Sequence, residues 1–289
     1  MKPETSEGNV DPAIAGIRIS RRAFCLGTVT AMAAGCSSDS PPEIPSDLRV
    51  MTYNLHHGEG VDGRLDLERI ARVIRAANPD LVALQEVDRN AARTGGMDQA
   101  AEYSRLTGLY GAYGAAMPFQ GGEYGQALLS RWPLEDFAVI QLPGTRGKEP
   151  RIAVSAWVEI PRLGRIRWIG THLDAGRDDA DRWDQAGALV EILGRDSAPT
   201  LLVGDFNATP ESRVMDRLLN AESPWDDTAS EAAAPTVPAE EPKARIDYIL
   251  GSPRGTWQTL VFRVIPESVA SDHRPVFAIL RRADGDQRD

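Results

Sequence analysis

Four histidines occur in this 289-residue chain, and each falls in a short polar block at the end of an apolar run or near one. His56 and His57 stand in TYNLHHG, His172 in THLDAG and His273 in SDHRPV. Asn54, Glu86 and Asp205 close or follow further apolar runs, in LRVMTYN, LVALQE and LLVGD. A charged group directly after a buried apolar run costs free energy unless it is paired or binds a metal. One reason to place several such groups is a shared site.

The residue types suit hydrolysis of a phosphate ester, which needs a cation to polarise phosphoryl oxygens, an activated water and donors for developing negative charge. Magnesium prefers oxygen ligands and needs only one or two protein carboxylates; Glu86 is the first candidate, with Asn54 beside it. In GDFNATP, Asp205 and Asn207 lie two apart, so in an extended segment both side chains share a face. Asp205 could then orient or deprotonate water while the Asn207 amide bonds a phosphoryl oxygen. Asp247 in RIDYIL and His273 in SDHRPV could pair as carboxylate and imidazole, the aspartate fixing the tautomer. Taken singly, each motif has a plainer reading: Asp and Asn are ordinary turn residues, Asp247 suits a strand-end ion pair, and His172 suits a satisfied core histidine. Adjacent histidines on a strand point in opposite directions, so His56 and His57 receive no metal. The case rests on order and combination.

The elements that must hold these residues read as a layered α/β or α+β domain, short apolar runs alternating with amphipathic stretches and turn signals. Strands are expected over Leu48–Asn54, Leu81–Glu86, Gln126–Ser130, Phe137–Leu142, Ile152–Ile160, Arg165–His172, Thr200–Gly204, Ala244–Leu250, Leu260–Ile265 and Val276–Leu280. Asp66 caps a helix whose Leu67, Ile70, Ala71, Ile74 and Ala77 fall on one face, ending before Pro79. Asp98 caps a second, ending near Gly108, and Asp179–Leu193 is helical by periodicity. Thr209-Pro210 reads as a further helix start, and the acidic, proline-punctuated segment 221–242 as an extended loop.

In chain order, TYNLHHG, LVALQEVD, GEYGQALLSRWP, THLDAG, LLVGDFNATP, RIDYIL and SDHRPV resemble the endonuclease/exonuclease/phosphatase superfamily, which includes pancreatic-type deoxyribonucleases, abasic-site endonucleases, bacterial sphingomyelinases and inositol polyphosphate 5-phosphatases. The resemblance runs from Leu48 to Leu280. It implies a four-layered sandwich, two facing mixed β-sheets flanked by helices, with the site at one edge of the sheets. It further implies that Asn54, Glu86 and Asp272 hold a magnesium or manganese ion, that His172 and Asn207 steady the phosphate, that Asp205 handles the nucleophile and that Asp247 supports His273. Whether Asp205 or His273 is the base stays open. Two departures stand out. His56 occupies the place where abasic-site endonucleases carry an acidic residue, and Gln126 stands where many relatives have asparagine.

Substrate choice in such folds is set by loops. Residues 88–99 and 144–151 are the candidates, through Arg93, Arg146, Lys148 and Arg151, with Arg93 and Arg151 preferred; simple surface charge is the plain alternative for each. The leading expectation is a phosphodiesterase or phosphatase acting on a small molecule or lipid headgroup. A nonspecific secreted nuclease and a non-catalytic surface-binding protein of the same fold are the alternatives.

Composition narrows these. The chain is 42% hydrophobic and 26% charged, ordinary for a globular protein. Its formal net charge of -10 argues against a stable nucleic-acid complex, which needs cations to neutralise phosphates. A monomer is expected. At the start, Arg21-Arg22 and the small, apolar run from Ala23 to Gly35 read as a twin-arginine export signal over residues 1–35. Ala33-Ala34-Gly35-Cys36 resembles a lipobox, with Ala33 where leucine is usual; a lipid on Cys36 at the head of a flexible tether over 36–47 is one expectation, cleavage after Ala31-Met32-Ala33 to a soluble chain beginning at Ala34 is the other, and both imply a periplasmic or cell-envelope location. Cys25 and Cys36 are the only cysteines, so the mature chain can form no intrachain disulfide. The catalytic domain is expected over 48–282 and a frayed tail over 283–289.

Overall fold

The computed structural model describes residues 47–193, 197–229 and 233–283. The expected export signal, Cys36 and nearly all of the tether and tail lie outside the described residues. Strands β1 (Asp47–Asn54), β2 (Leu81–Arg89), β3 (Tyr110–Phe119), β4 (Gly122–Ser130), β11 (Trp257–Val264) and β12 (Val276–Arg282) form one sheet in the order β11-β12-β1-β2-β4-β3. Strands β5 (Glu135–Gln141), β6 (Ile152–Ile160), β7 (Gly164–His172), β8 (Thr200–Asp205), β9 (Asp226–Asp227) and β10 (Asp247–Ser252) form the other, in the order β5-β6-β7-β8-β10-β9.

Each sheet contains one parallel pair, β1 with β2 and β7 with β8, and the remaining pairs are antiparallel. A parallel pair needs a crossover long enough to return the chain, usually a helix. Helix α1 (Leu67–Ala77) makes the first crossover and α3 (Ala180–Leu193) the second. Helices α2 (Gln99–Thr107) and α4 (Arg213–Leu219) are the other α-helices among the described residues.

Three apolar layers hold the sandwich together. Leu48, Val50, Ala83 and Leu128 of one sheet meet Val154, Ala156, Trp168 and Val203 of the other, all buried. On the outer face of the first sheet, Met51, Tyr53, Val82 and Leu84 pack against Ile70, Ile74 and Tyr103 of α1 and α2. On the outer face of the second, Ile169, Leu202 and Leu250 pack against Leu189, Met215 and Leu218 of α3 and α4. The order is therefore helix, sheet, sheet, helix, as expected. Strands buried on both faces read as continuous apolar runs rather than alternating ones, which is why VMTY, LVAL and TLLV were visible as core strands.

The helix caps follow the sequence reading in two places: Asp66 accepts from the Arg69 N–H at 2.8 Å and Asp98 from the Ala101 N–H at 3.0 Å. A third differs. The helix expected at Thr209-Pro210 begins at Arg213, with Ser212 accepting from the Met215 N–H at 3.3 Å; Thr209 closes a turn by accepting from the Ser212 N–H. Ser212 is a cap of the same class as Thr209. Strand β3 was not expected at all. Its sequence YGAYGAAMPF is small-residue-rich and carries Pro118, a pattern tolerated at an edge strand but weak as a strand signal. The 221–242 loop contributes the two-residue β9, and β10 runs later and β11 earlier than expected, because Ala244 makes only an isolated bridge to Val237.

Candidate active site

The two crossover units deliver polar side chains to the same end of the sandwich. Asn54 is the last residue of β1, His172 of β7 and Asp205 of β8. The carboxyl ends of parallel strands are where open α/β sheets place their ligand sites. Register fixes the rest: Asp205 is the partner of His172 on β7 and of Asp247 on β10. Just before Asp205, Gly204 lets β8 come close to β7, for a Cβ there would stand 1.9 Å from the Thr171 carbonyl oxygen.

Asp205 Oδ2 is the centre of the group. It accepts a hydrogen bond from Asn54 Nδ2 at 3.1 Å, while His172 Nε2 and His273 Nε2 stand 3.5 and 3.7 Å away. Those last two distances exceed a good hydrogen bond, so both imidazoles keep that nitrogen for a ligand. Asn54 Nδ2 also donates to Glu86 Oε1 at 3.1 Å. Glu86 reaches this position from a register slip in β2 between Leu84 and Val87, with φ at +58°. Bulges of this kind re-aim a side chain, and a left-handed non-glycine residue costs on the order of 1–3 kcal/mol.

Asp205 and Asn207 do both line the cavity, but extended alternation is not the reason. Asn207 sits at φ +48° in a turn closed by its N–H donating to Asp205 Oδ1 at 2.8 Å, and its Nδ2 donates to the Leu173 carbonyl at 3.0 Å. His56 and His57 are likewise not on a strand. They form a short turn beyond β1 with φ of +45° and +46° and rings 4.6 Å apart, and His56 Nδ1 donates to the Glu59 carbonyl.

The expected Asp247–His273 pair is present, Nδ1 donating to Asp247 Oδ2 at 3.0 Å in a buried setting. Burial disfavours the imidazolium, yet Asp247, with Asp205 and Asp272, holds His273 up at about 10. Burial and the charge of Asp247 push Asp205 up to about 7, against the pull of His273, the Asn207 N–H and Asn54. His172 moves the other way, well below the usual range, through burial and the charges of Arg151 and His273. The site therefore holds an imidazolium donor, a carboxylate with affinity for a proton near neutrality and a neutral imidazole.

The donors fit a hard divalent cation. Burial pushes the Glu86 carboxyl up and the charge of Asp272 adds to this, Asn54 working against it. Asp247 Oδ1 is buried and has no hydrogen-bond partner among the described residues. Asp205, Asp247 and His273 offer ligand atoms within 4.8 Å of one another and could hold a metal. Asp272 is half-buried and is not among the cavity-lining residues; it follows Ser271, whose hydroxyl donates to the Asn54 carbonyl at 2.8 Å.

The cavity itself, about 340 Å³, is lined by Glu86, His172, Asp205, Asn207 and His273 together with Arg93, Arg151, Met117, Phe119, Tyr124, Glu149 and Ala175. Of the basic residues expected to meet substrate, Arg93 and Arg151 are there. Lys148 is not: its Nζ pairs with Asp181 at 2.7 Å, with Asp174 and Asp178 at 3.8 Å, and Arg146 is exposed outside the lining. Lys148 and Thr145, whose hydroxyl donates to Asp181 at 2.8 Å, instead tie the 144–151 loop to the start of α3. Met117, Phe119, Tyr124 and Glu149 were missed. The first two belong to β3, which carries little strand signal, and Glu149 stands between Lys148 and Arg151 in a loop whose sequence signal is its cations.

A model of the Endonuclease/Exonuclease/phosphatase family matches residues 51–273. The Escherichia coli (strain K12) protein YbhP is 26% identical over 254 residues, covering 80% of this chain and 94% of YbhP. The crystal structure of an endonuclease/exonuclease/phosphatase from Beutenbergia cavernae superposes with a TM-score of 0.71 at 28% identity, over 82% of this chain and 72% of that one. A mannosyl-6-phosphatase from Bacteroides thetaiotaomicron shares the fold, with a TM-score of 0.67 at 18% identity, over 81% of this chain and 99% of that one.

Proposed function

The chain belongs to the endonuclease/exonuclease/phosphatase family, whose members hydrolyse phosphoesters, and from that premise we propose an exported, divalent-metal-dependent hydrolase of compact phosphoesters. The observation that carries the reading is the gathering of Asn54, His172 and His273 around Asp205 Oδ2, against a cavity of about 340 Å³. That volume lies at the small end of ligand pockets, roughly 300–1,000 Å³.

Asn54, Glu86 and Asp272 hold the cation in this reading, magnesium or manganese by their oxygen donors. A bound cation would polarise phosphoryl oxygens and ease ionisation of water. Asp205 Oδ2 orients the attacking water and takes its proton. His172 Nε2 and the second amide hydrogen of Asn207 steady the phosphoryl oxygens, the first amide hydrogen being spent on Leu173. His273, its Nδ1–H fixed on Asp247, presents Nε2 to the developing charge.

The test is phosphate or alcohol release by the purified chain with magnesium on a panel of sphingomyelin, DNA, a synthetic diester and inositol phosphates. Turnover of a small phosphoester above DNA is expected. No turnover of any member sinks the reading, and a clear preference for DNA makes the protein a nuclease.

Location belongs to the same proposal. With Cys36 lipidated, the mature chain fractionates with membranes, and Cys36→Ser releases it or blocks its maturation. A wild-type protein recovered soluble and beginning at Ala34 would contradict the anchor.

A further inference from the structure

Helix α3 does more than return the chain between β7 and β8, for its first two turns hold the backbone of two segments that wall the cavity. Gln185, 1% exposed, accepts from the Asp174 N–H on Oε1 at 2.9 Å and donates from Nε2 to the Pro143 carbonyl at 3.0 Å. Arg182 donates from Nη1 to the carbonyls of Asp174 and Gly176, both at 2.7 Å. Asp174 is thereby gripped by both of its backbone groups. On its N-terminal side, the Leu173 N–H donates to the Asp205 carbonyl at 2.9 Å and the Leu173 carbonyl accepts from Asn207 Nδ2 at 3.0 Å, with His172 next in the chain. Pro143 opens the loop that ends at Arg151, and the Leu142 N–H closes that loop on the Arg151 carbonyl at 3.0 Å. One buried amide thus spans the arm carrying His172 and the Asn207 anchor and the arm carrying Glu149 and Arg151.

Resting on the phosphoesterase reading, we propose that Gln185 is a positioning residue for the reaction. Through the Asp174 N–H it holds His172 and the Asn207 amide in place, and through the Pro143 carbonyl it holds Arg151 against the same cavity. It acts only through these groups, since it is not among the residues lining the cavity. A primary amide offers an acceptor and a donor without a charge, which suits a side chain buried to this degree, where an ionised group would be costly. A misplacement of about 1 Å at the reacting groups can cost about 10²-fold in rate, even from a change remote from the chemistry.

The test compares Gln185→Met with Gln185→Glu in the full chain with magnesium, on the panel ester that the wild type turns over fastest. Methionine keeps the length of the side chain and loses both hydrogen bonds. Glutamate, ionised or not, still accepts from the Asp174 N–H, but it puts a carboxyl group in a buried place. Positioning therefore predicts that Gln185→Met lowers kcat about tenfold or more and Gln185→Glu only about threefold, although the glutamate variant should melt at the lower temperature. A packing role predicts the opposite order in kcat. Because Gln185 acts in part through the Asn207 anchor, Gln185→Met should cost clearly less in an Asn207→Ala background than in the wild type. Methionine ahead of glutamate in kcat, a folded Gln185→Met within about twofold of the wild type, or losses that multiply in full with Asn207→Ala would each overturn the proposal. Should neither variant fold, amide exchange of the wild type decides: protection of the Asp174 N–H at the level of the α3 core upholds the grip, and exchange as fast as that of the exposed 144–148 loop overturns it. Failure on these counts leaves the phosphoesterase reading standing wherever the wild type turns over an ester and Asp205→Ala does not. No turnover of any ester by the wild type ends both.

Discussion

Asp205→Ala is expected to lower kcat on an accepted phosphoester by about 10²-fold or more, with KM moving less, because the group removed orients the water rather than holding the substrate. His273→Ala should cost a similar factor, since its Nε2 lies 3.7 Å from Asp205 Oδ2. The two residues act in one step, so the double variant should be little worse than the poorer single one. Asp247→Asn should fold and yet turn over more slowly, for Asp247 works through the His273 Nδ1–H and does not line the cavity. All four proteins are compared by steady-state kinetics beside thermal melting, because Asp205 and Asp247 are buried. Folded Asp205→Ala and His273→Ala proteins with near-wild-type turnover would remove the site assignment.

Chelation should take activity to background, and added magnesium or manganese should restore it. The physical reason is the density of carboxylates. Glu86 is disfavoured as an anion by burial and by Asp272, and Asp205 by burial and by Asp247, while the oxygen donors have no cysteine support. A divalent cation offsets this repulsion, so binding should also be visible without substrate, as heat in a calorimetric titration and as a raised melting temperature. Glu86→Gln keeps the hydrogen-bonding shape but removes a charge, and should raise the cation concentration needed for half-maximal effect about tenfold or more. Full activity after exhaustive chelation and dialysis, or a titration with no binding, would rule the cation out.

The sequence by itself determined the layered architecture, because strands buried on both faces write themselves as unbroken apolar runs and the α1 face repeats at helical spacing in Leu67, Ile70, Ala71, Ile74 and Ala77. It also named the polar side chains that gather around Asp205 Oδ2. Asn54, His172 and Asp205 are strand-terminal, and a polar residue closing a buried run is legible without coordinates. Pairing was legible for Asp247 and His273 because each has one chemical use for the other.

What only the tertiary structure decided was anything carried by backbone conformation or by neighbours distant in sequence. Glu86 points at Asn54 through a bulge at φ +58°, and Asn207 faces the cavity through a turn, where alternation gave the right face for the wrong reason. Lys148 and Arg151 are three residues apart and both cationic, yet the start of α3 supplies carboxylates to one while the fold buries the other at the cavity. The wall of Phe119 and Tyr124 depends on the edge strand β3, whose glycines, alanines and proline give no propensity signal and which exists because β4 offers a free edge to pair with. Local pattern reports burial and period; which charge meets which partner is set by strand register and loop closure, and those are properties of the folded chain.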